Sequence, residues 1–395
     1  MPNMSTDKNI RLYYLSSFFE GMKFLLPIWL IWYTRFIPMS TVGLIESIGI
    51  ILTMFLEVPT GAFADVFGRK TSIIIGKIGI ALAAFTVAFA TNSTHLIIGS
   101  LLWGVAGAFV SGSNTALIYD HLLSVGHEKS FSKINSLAST ISRIGIIIGS
   151  FAGGYLFNLW GPLPYLLYGV TSLVEIIIWF FVNEPTIDSQ QFSWTGYRQM
   201  IVDGFKAISH SSRIKLIALM SVTAISFGVI FREYLNYSYA IDLGLDAKNQ
   251  SLLFGVSAIL KTIAVMVIGH LIIRFSQNKV IYTYLLLVVL VLLPSKIAGF
   301  IGGVSIILLI EMITATAPII SDTYLNQELS SRERATSISF VNMFSSFFSA
   351  VGVWLGMYFI GLFQSPIIYT IIGLILLFIT ASFLFFQKKQ SIVIQ

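Results

Sequence analysis

The chain has 395 residues, of which 56% are apolar and only 11% are charged. So few charged side chains cannot cover a water-facing surface, and this composition excludes a soluble enzyme, a disordered scaffold and a secreted domain. The absence of cysteine excludes thiol catalysis and thiolate metal sites. The net charge is +6, but Lys and Arg are scattered singly between apolar runs, so we expect no nucleic-acid partner.

The apolar residues form twelve continuous runs, and a membrane-spanning helix needs about 20 such residues. Because the runs are continuous rather than alternating, they predict helices and not strands. We therefore predict an all-α integral membrane protein with 12 transmembrane helices, in which Pro27 and Pro318 bend the first and tenth helices. The runs cover residues 11–34, 40–61, 71–91, 95–119, 132–158, 163–183, 213–239, 249–273, 279–295, 297–325, 335–361 and 366–387.

The positive charges predict the orientation of these helices. An even number of spans places both termini on one side, and the loops of that side hold 16 Lys and Arg. The other side holds only Arg35, Lys248 and Lys296. By the positive-inside rule, we expect a multi-pass protein of the cell inner (cytoplasmic) membrane with both termini in the cytoplasm.

One connector is longer and more polar than the rest, and it predicts a domain boundary. The predicted domains are an N-terminal six-helix bundle (1–183), a cytoplasmic linker (184–212) and a C-terminal six-helix bundle (213–395). Within the linker, residues 194–208 predict a short amphipathic helix on the membrane face.

A faint internal repeat relates the two halves. The glycine and base of residues 61–70 recur at residues 269–276, and residues 126–129 resemble residues 331–334. The two offsets are 208 and 205 residues, which are nearly equal. Duplicated six-helix halves are typical of transporters, whose substrate path lies between the halves near the bilayer midplane.

The loop after the second run resembles the signature of the major facilitator superfamily between helices 2 and 3. The matching residues are Gly61, Asp65, Gly68, Arg69 and Lys70, and Val66 stands where the family usually has a base. The resemblance implies two pseudo-symmetric six-helix bundles and a cytoplasmic gate. Its glycines permit a tight turn, and Asp65 can accept hydrogen bonds from a helix N-terminus. An ordinary basic turn set by topology is the alternative interpretation.

A second resemblance lies in the fifth run and points to the proton-coupled drug exporters of the same superfamily. Their antiporter motif is similar to the stretch that contains Gly145, Gly149, Ser150, Gly153 and Gly154, with Ser150 in place of a proline. The resemblance implies export rather than uptake, whereas generic close packing of helices would need the same small residues. Ser100 stands where these exporters have an arginine, so proton handling requires other side chains.

Ionisable side chains inside a span cost several kcal/mol unless they face a partner or a cavity. We predict that ten of them serve proton coupling or line a substrate cavity. Glu20 and Lys23, three residues apart, form a static pair in the alternative interpretation. Lys77 is predicted to extend to the inner surface. The ten are Glu20, Lys23, Glu46, Asp120, Arg143, Glu175, Arg232, Glu233, Lys261 and Glu311.

The sequence therefore favours a secondary transporter that exports small amphipathic or drug-like molecules by alternating access, driven by protons. Glu20 is the predicted proton carrier, with Asp120 or Glu46 as the second candidate. The alternative is an importer of an anionic solute or a flippase of a lipid-linked one, because the spans also contain four bases, Lys23, Arg143, Arg232 and Lys261.

We predict no enzymatic activity, because no nucleophile–base pair, metal-ligand spacing or phosphate-binding loop is evident. We accordingly expect no catalytic residue, no metal and no cofactor, with the proton gradient as the energy source. The expected partners are a small-molecule substrate and membrane lipid, and the expected state is a monomer.

Overall fold

A computed structural model describes residues 7–185, 202, 204–209, 211–329 and 331–378. Within these residues the regular structure is helical, as predicted, and ten helical segments are long and apolar enough to cross a membrane. The interrupted first helix and the shorter helix Ser365–Phe378 bring the described spans to twelve. Most of the predicted helix at 194–208 and the boundary between the two predicted domains lie outside the described residues.

The spans are numbered in chain order. Span 1 comprises Lys8–Gly21 and Trp29–Tyr33, span 2 is Met39–Phe67, span 3 is Arg69–Ala88, span 4 comprises Ser93–Val110 and Ser113–Ser124, span 5 is Phe131–Leu159, and span 6 is Leu163–Phe180. Span 7 comprises Ser212–Val229, a π-helical turn Ile230–Leu235 and Asn236–Asp242, span 8 is Ala247–Arg274, and span 9 is Gln277–Leu292. Span 10 comprises Gly299–Ala315 and Ala317–Glu328, span 11 is Ser331–Leu362, and span 12 is Ser365–Phe378.

The two halves repeat one arrangement of helices. Span 2 begins at Met39 and span 8 at Ala247, which is 208 residues later and matches the spacing of the sequence repeat. In the N-terminal half, span 3 packs against spans 4 and 6, and span 1 packs against span 5. In the C-terminal half, span 7 packs against spans 10 and 11. The protein therefore consists of two six-helix bundles.

Both predicted bends are present. Residues 22–28 of span 1 are not helical, and Pro27 lies in this break because its ring nitrogen cannot donate a helical hydrogen bond. Pro318 lies in the first turn of Ala317–Glu328, directly after the interruption of span 10 at Thr316. A proline is tolerated there because the first helical N–H groups have no partner within the helix.

The halves meet through two pairs of spans, 2 with 11 and 5 with 8. We call the side on which Lys8 lies the N-terminal side and the opposite one the far side. The hydroxyl of Ser47 donates to the carbonyl of Ala350 at 2.7 Å, and the N–H of Gly154 donates to the hydroxyl of Ser251. Both contacts lie in the parts of these spans nearer the far side, so the halves are joined there.

Candidate transport site

The break in span 1 is held by the glycines of span 5. A Cβ atom added to Gly149 would lie 2.9 Å from the backbone nitrogen of Lys23, and one added to Gly153 would lie 2.7 Å from Cγ of Pro27. Gly145 faces the backbone of Gly21 in the same way. The helices approach so closely that a side chain at these three positions has no room. The glycine motif therefore fixes the non-helical stretch that contains Lys23.

The same motif joins the two halves. Gly154 faces the backbone of Ala247 and donates its N–H to Ser251, both at the start of span 8. One turn further along span 8, Gly255 lies against the ring of Phe151. Ser150, in the place of the motif's proline, is 2% exposed. Span 5 continues as a helix through this position to Leu159.

A cavity of about 330 Å³ lies between the halves, beside the break in span 1. Its walls combine aromatic rings with ionisable and hydroxyl groups, so it suits a molecule with an apolar body and polar substituents. Most of its lining comes from spans 1, 2 and 4, and spans 6 and 7 supply the rest. The polar and aromatic lining residues are Lys23, Trp29, Tyr33, Glu46, Thr53, Ser100, Trp103, Tyr165, Glu233 and Tyr234.

Glu46 is held in this cavity by hydroxyl groups. Ser100 donates to one carboxylate oxygen at 3.0 Å, and Tyr234 donates to the other at 3.4 Å. The hydroxyls of Ser100 and Tyr33 are 2.9 Å apart. Among the ion pairs of the described residues, none includes Glu46. Ser100, which replaces the exporters' arginine, thus contacts Glu46 through a neutral group.

Two further cavity residues carry charge without an ion pair. Lys23 and Glu233 have no partner of opposite charge within 4.0 Å in the described part of the chain. Glu233 is exposed and lies in the π-helical turn Ile230–Leu235. Such a turn inserts one residue and rotates the side chains after it, and it frequently marks functional sites. The alternative interpretation of Glu20 and Lys23 as a static pair is wrong, because the helix ends at Gly21 and Glu20 pairs with Lys77.

Two arginines from opposite halves repel each other electrostatically. Arg143 of span 5 and Arg232 of span 7 are both half-buried, and the charge of Arg232 disfavours a second positive charge on Arg143. Arg232 donates to the carbonyl of Gly228 at 3.1 Å. Neither arginine forms an ion pair with a described carboxylate. Two unneutralised guanidinium groups form a natural site for an anion.

Three charged residues form a cluster within the N-terminal half. The ammonium of Lys77 lies 2.6 Å from Glu175 and 3.7 Å from Glu20, and Ser16 donates to Glu175 at 3.2 Å. Lys77 and Glu175 are each 1% exposed, whereas Glu20 is 36% exposed. The prediction that Lys77 extends to the inner surface is wrong, because the two carboxylates hold its ammonium inside the bundle. We call Glu20, Lys77 and Glu175 the lysine cluster.

The C-terminal half contains a corresponding buried ion pair. Glu311 is fully buried and lies 2.6 Å from the ammonium of Lys261. Asn236 and Ser257 donate to its two oxygens at 2.6 and 3.0 Å. The hydroxyl of Tyr369 donates in turn to the side-chain oxygen of Asn236 at 2.6 Å. These contacts link spans 7, 8, 10 and 12, and they assign Lys261 and Glu311 to one structural network.

The loop motif sits on the N-terminal side, where spans 3, 4 and 6 meet. Gly68 has a φ of +97°, a conformation that favours glycine. The N–H groups of Arg69 and Lys70, which begin span 3, donate to the carboxylate of Glu184. The side chain of Arg69 pairs with Asp120. At this helix N-terminus Glu184, a residue of the connector, is thus an acceptor.

The lysine of the motif reaches span 6 as well. The ammonium of Lys70 donates to the carbonyls of Phe180 and Val182 at 2.7 and 3.0 Å, at the end of span 6. A cation at a helix C-terminus is favourable because the last carbonyls carry partial negative charge. Gly61 has open space around its backbone, so its position is free of the crowding seen in span 5. The loop motif therefore links the N-terminal-side ends of three spans.

A second contact on this side ties span 1 to span 4. The carboxylate of Asp7 accepts from the backbone of Ile10 at 3.1 Å and lies 2.9 Å from Nε2 of His121. Burial alone would raise the pKa of the Asp7 carboxyl, but the hydrogen bonds from His121 and Ile10 outweigh it and hold this pKa below its usual value. Asn9 donates to the other ring nitrogen of His121 at 3.1 Å and to the carbonyl of Asn183 at 2.8 Å.

Comparison with known proteins identifies the family. The sequence model of the Major Facilitator Superfamily matches residues 12–240, which is more than half of the chain. The chain belongs to the major facilitator superfamily. It is accordingly a multi-pass membrane protein of a family of transporters, as predicted.

Its curated relatives are distant. The MFS-type transporter YxaM of Bacillus subtilis is 26% identical over 260 residues, which cover 64% of this chain and 62% of the relative. Multidrug resistance protein 2 of the same organism is 22% identical over 271 residues, 66% of this chain and 65% of the relative. Multidrug resistance protein MdtG of Salmonella typhimurium is 24% identical over 258 residues, which cover 64% of this chain and 61% of the relative. The chain matches less than two thirds of the length of these relatives.

Solved structures confirm the fold over nearly the whole length. A variant of the nucleoside transporter NupG has a TM-score of 0.78 at 16% identity, covering 95% of this chain and 99% of its own. A D-xylose–proton symporter has a TM-score of 0.67 at 11% identity, covering 93% and 96%. Identities this low establish the shared architecture alone.

Sequence reasoning missed several members of the site. In the sequence Glu184 is only part of the polar connector. Its contact with Arg69 and Lys70 is hidden because these residues are far from it along the chain. Tyr234 is one of 16 tyrosines and nothing in its local sequence distinguishes it, yet it donates to Glu46 from the other half. Asn236 and Tyr369 carry no charge and gave no signal within apolar runs. These contacts join residues more than 70 positions apart, so spacing alone does not reveal them.

Proposed function

We propose that the protein is a proton-coupled exporter of small amphipathic molecules that works by alternating access. The observation that carries this proposal is the position of Glu46 in the cavity between the halves. Its carboxylate is surrounded by aromatic rings and held by hydroxyl groups, with no ion pair to a described base. Such a carboxyl group can take up a proton without breaking an ion pair.

The walls of the cavity support an amphipathic substrate. Trp29, Tyr33, Trp103, Tyr165 and Tyr234 contribute flat apolar surfaces around two carboxylates and one ammonium group. Aromatic faces bind apolar rings and attract organic cations, whereas the few polar groups orient the molecule. The printed names of two relatives, multidrug resistance protein 2 and MdtG, support this substrate class.

We assign the coupling proton first to Glu46 and second to Glu20. Glu20 is the exposed member of the lysine cluster and lies 3.7 Å from Lys77, which also serves Glu175. Two carboxylates that share one ammonium group can release or bind a proton when their surroundings change. Asp120 is a weaker candidate because it pairs with Arg69 at the end of span 4.

Alternating access is supported by where the halves are joined. Ser47 with Ala350 and Gly154 with Ser251 connect them near the far side. Export then requires these contacts to open while the N-terminal side closes, and the loop motif between spans 2 and 3 lies on that side. We place the N-terminal side in the cytoplasm of the cell inner membrane because the positive charges of the loops concentrate there.

The experiment is a growth-inhibition panel in cells that lack their own exporters. Cells that express the chain should tolerate amphipathic compounds better than cells that express Glu46→Gln, and an uncoupler should remove the difference. Glu57→Gln, an exposed carboxylate of the same span, is the matched control. Protection that persists in the presence of the uncoupler would exclude proton coupling, and no protection against any compound would exclude export of this class.

Arg143 and Arg232 favour a second candidate, a proton-coupled importer of an anionic solute or a flippase of a lipid-linked one. Their two unpaired guanidinium groups come from opposite halves and suit a carboxylate or phosphate. The direction of transport separates the two proposals. Accumulation of an organic anion inside vesicles driven by protons moving inward would support import.

A further inference from the structure

A long apolar groove runs along the outside of the C-terminal half, between spans 8, 9 and 10. Its volume is about 480 Å³. On span 9 it follows one helical face from Lys279 through Thr283 and Tyr284 to Leu287. Eight residues of α-helix extend about 12 Å, so the groove runs from the first turn of span 9 well into the bilayer. The cavity between the halves shares no lining residue with it.

The mouth of the groove is positively charged. The ammonium of Lys279 lies 4.5 Å from the ring centre of Phe275, and both residues line the mouth. Arg274 is exposed in the same turn between spans 8 and 9. The sequence contains no acidic residue from 262 to 310. The charge at the mouth is therefore not neutralised by spans 8 and 9 themselves.

A polar group lies in the wall of the groove without a partner. Tyr284 is 9% exposed. Its hydroxyl is buried and has no hydrogen bond among the described residues. The hydroxyls of Ser321 and Tyr324 are likewise unpartnered, and with Tyr284 they line a small space of about 30 Å³ behind the groove. That space holds about one water molecule, which can hydrogen-bond to these hydroxyls. The hydroxyl of Tyr284 is therefore closed off from the groove, and the ring of Tyr284 forms part of the apolar wall.

We propose that this groove binds one anionic phospholipid from the leaflet on the N-terminal side. The phosphate binds Lys279, and one acyl chain lies along Val267, Leu287 and the ring of Tyr284. Leu287 lies eight residues below Lys279, about 12 Å deeper in the bilayer. An acyl chain lies below the phosphate of a phospholipid, which is the order of the charged mouth and the apolar wall in the groove. A base beside a groove between spans is the arrangement that attracts anionic headgroups.

Native mass spectrometry of the full chain in a neutral detergent tests the proposal. With equal amounts of phosphatidylglycerol and phosphatidylcholine added, the wild-type chain should retain one phosphatidylglycerol in preference to phosphatidylcholine. Lys279→Gln should lower that preference about tenfold, since one charge-assisted hydrogen bond is lost. Val267→Trp should fill the groove and abolish specific retention.

The controls separate groove binding from general lipid adhesion. Val256→Trp adds the same ring to an exposed position of span 8 that does not line the groove. Lys248→Gln removes a base from the far side. Both variants should retain phosphatidylglycerol like the wild type. Equal retention of the two lipids by the wild type, or unchanged retention by Val267→Trp, would overturn the proposal. The outcome does not depend on transport, so it stands apart from the proposed export.

Discussion

The ammonium of Lys77 lies 2.6 Å from the carboxylate of Glu175, and each side chain is 1% exposed within the N-terminal bundle. Because Glu20 lies 3.7 Å from the same ammonium, one base serves two carboxylates. Buried charges must be neutralised where they stand, since their desolvation is expensive. The lysine cluster therefore holds spans 1, 3 and 6 together and at the same time connects a buried pair to the half-exposed Glu20.

This arrangement predicts that substitutions in the lysine cluster lower the free energy of unfolding by different amounts. Lys77→Met should lower the free energy of unfolding by about 3–5 kcal/mol, because it leaves two carboxylates without their base. Glu175→Gln should cost less, since Lys77 keeps Glu20 as a partner. Thermal unfolding in detergent measures both. Lys129→Met removes an exposed lysine and serves as the control. Equal effects of Lys77→Met and Lys129→Met would contradict a stabilising cluster.

The second prediction concerns the coupling proton. Glu46→Gln keeps the shape, and its amide oxygen can still accept from Ser100 or Tyr234, but it cannot exchange a proton. We expect transport driven by a pH gradient to fall at least tenfold in vesicles, whereas exchange of substrate across the membrane without a gradient persists. A pH-sensitive dye inside the vesicles measures proton movement.

Glu20→Gln distinguishes the two assignments. If Glu46 carries the proton alone, Glu20→Gln leaves proton movement unchanged, and if the lysine cluster carries it, Glu20→Gln has the larger effect. Normal proton-driven transport in both variants would rule out both carboxylates.

The third prediction rests on the contact between spans 1 and 5. Gly149→Ala places a Cβ atom 2.9 Å from the backbone nitrogen of Lys23, which is too close for either helix. Overpacking of this kind typically costs about 1–3 kcal/mol, and it should also displace Lys23 from the cavity and reduce transport. Gly269→Ala is the control, because its Cβ would meet no atom within 4 Å and it does not line the cavity. Wild-type stability and transport in Gly149→Ala would show that the break in span 1 does not depend on this contact.

Sequence and structure agree best for features that depend on the residues of one span alone. The twelve spans, the bends at Pro27 and Pro318 and the family follow from apolar runs, proline chemistry and short motifs. Partners of charged residues do not follow in this way. The alternative interpretation pairs Glu20 with Lys23 on one helix face, but the helix ends at Gly21, so Lys23 does not belong to that face. The helix ends where it packs against span 5, and the local sequence does not reveal such a contact between distant residues.

The loop motif illustrates the same limit at a turn. Gly68 was predicted to permit a tight turn, and its positive φ confirms this. Glu184 lies 115 residues from Arg69 in sequence yet accepts its N–H. Only the meeting of spans 3 and 6 brings the two together.

The fourth prediction tests the two arginines. Without a ligand, Arg143→Gln should leave stability unchanged or raise it slightly, because it removes the repulsion from Arg232. If the pair binds an anion, an organic carboxylate should raise the melting temperature of the wild type and not that of Arg143→Gln. Arg35→Gln is the control, since Arg35 stacks on the ring of Phe157 away from this pair. An equal rise in all three proteins would exclude an anion site at the pair.

The fifth prediction is a pH dependence of stability at the start of span 1. The carboxylate of Asp7 caps the helix and lies beside His121, and its pKa is held below the ordinary 3.8. A folded-state pKa below the unfolded one stabilises the fold above pH 3.8, and this contribution disappears as the pH falls through the folded pKa. Asp7→Ala should therefore cost about 1 kcal/mol at pH 7 and less near pH 3.

Asn92 offers a matched control for this pH dependence in a His95→Gln background, because it caps span 4 by accepting from the N–H of Thr94 at 3.0 Å and, among the described residues, its only titratable contact is with His95. Asn92→Ala should have the same cost at both pH values. Unfolding midpoints of the wild type and the two variants, recorded from pH 7 to pH 3, provide the comparison. A cost of Asp7→Ala that stays constant over this range would mean that the hydrogen bonds of the cap, and not the charge of its carboxylate, stabilise span 1.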